Sequence, residues 1–177
     1  MVKVKILERL LSAVSERKPV SLCTVIDSNR SVPRKAGAKM LVFEDGSTYD
    51  TIGGGEMEAR VIAEALKSIR ENKPRNLSYS LVNPTIGDPG VCGGDVQIYL
   101  EPYMPQVTIY IIGAGHIGKA VSELSRWLGY RVIVWDDRTE VVNELDGKVE
   151  ALSGPLIDAL SVEPIDEYTR VVIVTRN

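Results

Sequence analysis

The spacing of hydrophobic residues predicts an N-terminal half in which helices and strands are mixed. Apolar residues recur every three or four positions in two segments, which predicts amphipathic helices over 3–17 and 56–72. Runs of β-forming residues predict strands over 21–27, 76–82 and 95–101, and a hairpin over 38–52. The first helix places five apolar residues on one face, namely Ile6, Leu7, Leu10, Leu11 and Val14.

The C-terminal half has a different pattern, in which strands and helices alternate. Two prolines in the segment 102–106 separate the halves, and the apolar run 107–112 that follows is typical of a strand buried on both faces. Such alternation predicts a parallel sheet with right-handed crossovers. We predict an α/β protein with a small α+β domain over residues 1–103 and an abbreviated Rossmann-like domain over 104–177. The predicted C-terminal elements are strands at 107–112, 131–136, 148–152 and 170–175, with helices at 116–128 and 155–161.

Composition and charge are those of an ordinary globular protein. The net charge of −3 gives no basic excess of the kind that nucleic-acid binding requires. Charged residues interrupt the first twelve positions, unlike a signal peptide, and no stretch approaches the roughly 18 apolar residues of a membrane span. Cys23 and Cys92 lie far apart in sequence with no CxxC pairing, so neither a zinc knuckle nor a disulfide framework is indicated. We expect a cytoplasmic protein that binds neither nucleic acid nor a membrane.

A glycine loop at 111–120, with the sequence IIGAGHIGKA, matches a dinucleotide fingerprint. Gly113 suits the tight turn, Gly115 the close approach of a pyrophosphate, and Gly118 the packing of helix on strand. Asp136 follows Gly113 by 23 residues, where a carboxylate accepts hydrogen bonds from a ribose. A phosphate-binding P-loop would need Ser or Thr at the position of Ala120. The fingerprint favours NAD or another adenine nucleotide, and glycines that serve only packing are the alternative.

His116, inside this loop, is the single histidine of the chain. It is placed to face a ligand or to cap the helix that follows. Hydrolases with a Ser–His–Asp or Cys–His arrangement would have to use this one side chain, which argues against that class of enzyme.

Three upstream loops have the composition of an anion-binding site. The first, 28–43, contains four cations and no acid: Arg30, Arg34, Lys35 and Lys39. The second runs through Gly53, Gly54 and Gly55 into a helix N-terminus at Glu56, a geometry suited to phosphate. The third places Cys92 among glycines, including Gly93, where a ligand can approach the sulfur closely.

Four motifs in the same order resemble the xanthine dehydrogenase accessory factors, the XdhC/CoxI family. They are SVPRKAGAKM, TIGGGEMEA, VCGGDVQIYLEP, and IIGAGHIGKA followed by WDDR, within residues 20–175. The resemblance implies a non-catalytic chaperone that binds molybdenum cofactor (molybdopterin), aids its sulfuration and inserts it into a molybdenum hydroxylase such as xanthine dehydrogenase. The implied partners are the apo-hydroxylase and a sulfur donor.

The resemblance also implies roles for individual residues. Arg34, Lys39 and Gly53–Gly55 would hold the phosphate of the pterin, and Cys92 would meet its sulfur ligands or carry a persulfide. Glu56 stands where the family usually has cysteine, and the family continues beyond the strand at 170–175. We therefore expect that a separate C-terminal part, or a second copy in a homodimer, completes the sheet. Two other functions remain open: an NAD(H)-dependent oxidoreductase or redox sensor, and an assembly factor that binds no small molecule.

Overall fold

The computed structural model describes residues 2–29, 34–81, 94–145 and 147–175, and these residues form two compact units, 1–105 and 106–177. Each unit has its own sheet and its own hydrophobic clusters. Within the described residues, no helix combines the length and the apolar character needed to cross a membrane.

Unit 1 is a five-stranded antiparallel sheet with strand order β3-β2-β1-β5-β4 and two helices. The central strand β1 pairs with β2, opposing Thr24 to Lys39, and with β5, where a bulge falls between Val25 and Asp27. Its elements are α1 (Val2–Ser15), β1 (Val20–Ser28), β2 (Lys39–Phe43), β3 (Thr48–Tyr49), α2 (Gly55–Glu71), β4 (Arg75–Ser80) and β5 (Asp95–Tyr103).

The two faces of this sheet pack against different helices because successive strand residues point to opposite sides. Cys23 and Val25 of β1 join the cluster formed with α2, whose buried residues include Val61 and Ala65. Val20 and Leu22 of the same strand lie instead in the cluster formed with α1. The strand alternation thus gives unit 1 a helix on each side.

The apolar face predicted for the first helix is wrong for three of its five residues. Ile6 and Leu10 are buried, whereas Leu7, Leu11 and Val14 are exposed. The apolar arc of α1 is wider than the contact that the sheet offers, and the small residue Ala13, 1% exposed, takes the buried position instead.

Unit 2 is a four-stranded parallel sheet with strand order β8-β7-β6-β9. In chain order this is 3-2-1-4, the order of a Rossmann-like sheet, so the predicted fold class is confirmed. Successive strands are added on one side of β6 up to β8, and the next strand, β9, is added on the other side. The elements are β6 (Thr108–Ile112), α3 (His116–Trp127), β7 (Arg131–Asp136), α4 (Thr139–Val142), β8 (Glu150–Ser153), α5 (Leu156–Val162) and β9 (Thr169–Ile173).

Candidate functional site

In unit 1, the structure brings Arg34 and Lys39 of the basic segment together at one groove of about 250 Å³. Asp50 and Thr51, which precede the glycine run 53–55, line the same groove, whereas the three glycines of the run are not among its lining residues. The remaining lining residues are Ile6, Ala36, Gly37 and Ala38. Arg30 lies outside the described residues, and Lys35 is exposed and does not line the groove.

Backbone hydrogen bonds attach the basic segment to strand β1. The N–H of Gly37 donates to the carbonyl of Val25 at 2.7 Å, and the N–H of Val25 donates to the carbonyl of Ala38 at 2.9 Å. Further back, the N–H of Ala36 donates to the Ser28 hydroxyl at 3.1 Å. The wall of the groove is therefore built on the central strand of the sheet.

Neither cation of the groove is neutralised by an ion pair in the described part of the chain. Lys39 Nζ donates to Thr24 Oγ1 at 2.9 Å, across the β1–β2 register that opposes these two residues. Over the described ranges, neither Lys39 nor Arg34 forms an ion pair with a carboxylate. The groove thus offers two positive charges to an anion.

The glycine run 53–55 is held by Glu58, a residue that is not part of the site predicted from the sequence. All three glycines have positive φ, at 144°, 77° and 68°. One carboxylate oxygen of Glu58 accepts hydrogen bonds from the N–H of Ile52 at 3.1 Å, the N–H of Gly54 at 3.0 Å and the Thr51 hydroxyl. The N–H of Gly53 also donates to Thr51 Oγ1, at 3.1 Å. Two N–H groups of the run that the sequence suggested for a phosphate, those of Gly53 and Gly54, are therefore engaged within the chain.

Opposing effects act on the pKa of Glu58. Partial burial raises it, but the hydrogen bonds from the Thr51 hydroxyl and the Gly54 N–H outweigh burial and lower the pKa below its ordinary value. The carboxylate is therefore ionised at neutral pH. The available sequence signal was an acid in the first turn after the glycines, close to the capping-box position.

Glu56, at the position of the family cysteine, is not among the lining residues of the groove. Its side chain is 61% exposed and pairs with Arg60 Nη2 at 2.6 Å, one turn further along α2. Cys92 and Gly93 lie outside the described residues. Cys23 is buried within β1, and burial raises the pKa of its thiol to about 12, so it acts as a core residue.

Unit 2 has a cleft of about 780 Å³ at the carboxyl ends of its parallel strands. It lies where the strand order reverses, which is the usual ligand position in open α/β sheets. The cleft brings together four of the five predicted residues, Gly113, Gly115, His116 and Asp136, whereas Gly118 is not among its lining residues. The full lining is Gly113, Ala114, Gly115, His116, Ile117, Lys119, Trp135, Asp136, Asp137, Arg138, Val141, Glu144, Val174 and Thr175.

The three glycines of the fingerprint differ in what surrounds them. A Cβ at Gly118 would lie 1.9 Å from the carbonyl oxygen of Gly113, behind the loop. A Cβ at Gly113, where φ is 114°, would lie 2.9 Å from the backbone of Val174. Gly115 has an ordinary φ of −67° and nothing within 4 Å of its added Cβ. Gly113 and Gly118 are thus required by packing, whereas Gly115 is not.

Asp136, predicted to bind a ribose, is 3% exposed and has partners for both carboxylate oxygens within the chain. It accepts hydrogen bonds from the N–H of Ala114 at 2.7 Å, from Arg138 Nε at 2.8 Å and from Arg138 Nη2 at 2.9 Å. The bonds from Arg138 hold the pKa of Asp136 far below its ordinary range against the effect of burial. Its role toward a ribose remains a prediction, and the observed contact fixes the glycine loop.

His116 and Lys119 lie on the first turn of α3 at the mouth of the cleft. His116 is exposed, and no side chain caps the helix at Gly115. Lys119 Nζ pairs with Glu144 at 2.6 Å. Across the described part of the chain, no group of three or more His, Cys, Asp or Glu residues is arranged to hold a metal ion.

Comparison with known proteins gives one family and a small set of relatives. Residues 13–80 match the model of the XdhC and CoxI family. The uncharacterized protein YqeB of Escherichia coli K12 is 33% identical over 166 residues, 90% of this chain and 30% of YqeB. The molybdenum cofactor insertion chaperone PaoD of the same organism is 30% identical over 96 residues, 54% of this chain and 30% of PaoD. The chain thus spans about a third of the length of each curated relative.

Among solved structures, a xanthine dehydrogenase from Bacillus halodurans is similar over 93% of this chain and 73% of that one. The sequence identity is 19% and the TM-score is 0.47.

Proposed function

Since this chain belongs to the XdhC and CoxI family, we propose that it is an accessory factor for molybdenum hydroxylases and binds the molybdenum cofactor. The observation that carries the proposal is the groove of unit 1, where Arg34 and Lys39 meet without a carboxylate partner among the described residues. Molybdopterin carries a phosphate, and two cations in one groove suit that group. The similarity to PaoD, a molybdenum cofactor insertion chaperone, supports the same class of function.

The proposal assigns the delivery step to the protein as a whole. Cofactor held at the groove passes to an apo-hydroxylase, and a sulfur donor supplies the sulfur that the cofactor needs. Cys92 is the thiol that we assign to sulfur contact, since Cys23 is buried. Glu56 cannot carry a persulfide, so a mechanism with a second cysteine at that position does not apply to this chain.

Retention of molybdopterin by the purified protein tests the proposal. Molybdopterin released from a molybdenum enzyme is mixed with the protein, and the bound fraction is read from the fluorescence of its oxidised form. We expect Arg34→Ala together with Lys39→Ala to weaken binding by at least about tenfold, because each charged hydrogen bond contributes about 1.5–3 kcal/mol. Lys35→Ala, in the same segment but outside the groove, is the matched control. Failure of the wild type to bind would overturn the proposal.

A second candidate function, nucleotide binding in the cleft of unit 2, is favoured by Gly115. The fold does not need glycine there, since an added Cβ has open space. The open space is where a pyrophosphate would approach the N-terminus of α3. With NAD as ligand, the protein would be an oxidoreductase or a redox sensor. Asp136 weighs against this candidate, because its carboxylate is already engaged.

Calorimetric titration with NAD separates the candidates, with Gly115→Asp as the discriminating variant. Aspartate is a favourable N-cap residue, so the helix is retained, while its charge repels a phosphate. Loss of NAD binding in this variant supports the cleft as a nucleotide site. An absence of heat in the wild type at two well-separated temperatures counts against NAD, because the enthalpy of binding changes with temperature.

A further inference from the structure

The groove of unit 1 contains a carboxylate as well as its two cations. Asp50 is the only acidic residue among the described residues that line it. A site built for phosphate alone gains nothing from a negative charge, which would repel the ligand. The presence of Asp50 therefore needs a separate explanation.

Asp50 does not serve to neutralise the cations of its own groove. Within the described ranges it forms no ion pair with Arg34 or Lys39, and Lys39 donates instead to Thr24. Asp50 is exposed, and among the described residues its side chain has one hydrogen-bond partner, the N–H of Thr51, which donates to Oδ1 at 2.8 Å. A carboxylate has about four acceptor positions, so most of its capacity is available to a ligand.

The backbone fixes Asp50 from both sides. Its φ of 65° is in the left-handed region, which is unfavourable for a residue other than glycine. The next residue, Thr51, is held by its hydroxyl on Glu58, whose carboxylate also binds the glycine run. Asp50 is thus presented to the groove by a turn that the rest of the loop maintains.

We propose that Asp50 recognises the aminopyrimidinone edge of a pterin. This inference rests on the proposed function, in which a pterin cofactor is the ligand. The 2-amino group and the N3–H of a pterin are adjacent donors that point the same way, and the two oxygens of a carboxylate match them as they match the fork of an arginine. Arg34 and Lys39 then bind the phosphate end, and Asp50 distinguishes the ring.

Two fluorescent pteridines provide the test. Pterin has the 2-amino group, whereas lumazine has an oxygen acceptor in its place. Wild-type protein should bind pterin about tenfold more tightly than lumazine, because the 2-oxo group of lumazine would face the Asp50 carboxylate with no proton between the two acceptors. In Asp50→Asn, the amide donates to the 2-oxo group and accepts from N3–H. We expect the preference to reverse in favour of lumazine, an outcome that simple damage to the groove does not produce.

Asp27→Asn is the matched control, because Asp27 also accepts the N–H of the next residue at 2.8 Å and lies outside the groove. It should keep the wild-type preference. Equal affinity of the wild type for pterin and lumazine, or an equal loss of both in Asp50→Asn, overturns the inference. So does binding of neither pteridine by a protein that retains molybdopterin. If molybdopterin is not retained, the proposed function fails, and the affinity ratio still reports on Asp50.

Discussion

Gly113, Gly115 and Gly118 belong to one sequence motif, but the fold does not require glycine at all three positions. Gly118 has no room for a Cβ and Gly113 has positive φ and a close neighbour, whereas Gly115 faces open space. A fingerprint motif therefore mixes residues that the fold requires with one that only a ligand would require.

Substitution at two of these glycines should separate packing from binding. Gly118→Ala should lower the free energy of unfolding by at least about 3 kcal/mol, because the new methyl group overlaps a backbone oxygen. Gly115→Asp should change it by less than about 1 kcal/mol. Denaturant titration followed by circular dichroism measures both. Equal losses in the two variants would contradict the packing argument.

The carboxylate of Asp136 should make stability depend on pH. Its pKa is lowered in the folded protein, so its stabilising contribution is present above the unfolded value of about 4 and is lost as the pH falls toward the folded value. Asp136→Asn should cost about 2 kcal/mol at pH 7, a figure reduced because Arg138 is 49% exposed. The difference in unfolding free energy between wild type and variant should shrink below about pH 4. If this difference in unfolding free energy does not change with pH, the cost of Asp136→Asn arises from packing and not from the charge of the carboxylate.

At the scale of one element, α2 begins with a loop that is stabilised from inside the helix. Glu58 lies one turn into α2 and bonds back to the residues before it. Glu56, two positions earlier, is exposed and bonds forward to Arg60. Two acids of the same turn thus differ in what they contribute.

Glu58→Gln and Glu56→Gln form a matched pair. The first should lower the unfolding free energy by about 1–2 kcal/mol, because charged acceptors of backbone N–H groups are the stronger ones. The second should cost less than about 0.5 kcal/mol, as exposed ion pairs do. Because the pKa of Glu58 is lowered, its contribution is also lost in acid. Thermal unfolding at pH 7 and pH 3 measures both effects, and equal costs at pH 7 would refute the assignment.

Most helices and strands were predictable from the periodicity of apolar residues, but the side-chain hydrogen bonds that hold the loops were not. The hydrophobic spacing predicted the α+β unit, the parallel sheet of the second unit and the hairpin over 38–52, because residues that are buried together recur with the period of their helix or strand. The exposure of Leu11 depends on how much of α1 the sheet covers. The contacts of Glu58 and of Asp136 with Arg138 depend on chain turns that residue types alone do not specify.

At the scale of the whole molecule, the unfolding of each unit can be monitored separately, because the two units contain different reporter residues. Both tryptophans of the chain lie in unit 2, Trp127 at 81% exposure and Trp135 at 9%. Cys23 is a buried thiol of unit 1, with its pKa raised to about 12 by burial. Fluorescence therefore reports unfolding of unit 2, and protection of Cys23 from alkylation reports unit 1.

We expect the two units to unfold as separate cooperative transitions. Gly118→Ala should then move the fluorescence midpoint of unit 2 to lower denaturant concentration and leave the alkylation midpoint of Cys23 unchanged. Mass spectrometry of peptides locates the modified cysteine. A parallel shift of both midpoints would show that the chain unfolds as one unit.

The internal carboxylate of Glu58 also bears on how such a loop evolves. Because Glu58 holds the backbone of the turn, the side chain at residue 56 is exposed and is not needed to stabilise the loop. A substitution at residue 56 is then able to change the chemistry of the loop while the turn beneath it is retained. In a lineage of such proteins, the chemistry at the tip of the loop and the shape of the loop can diverge at independent rates.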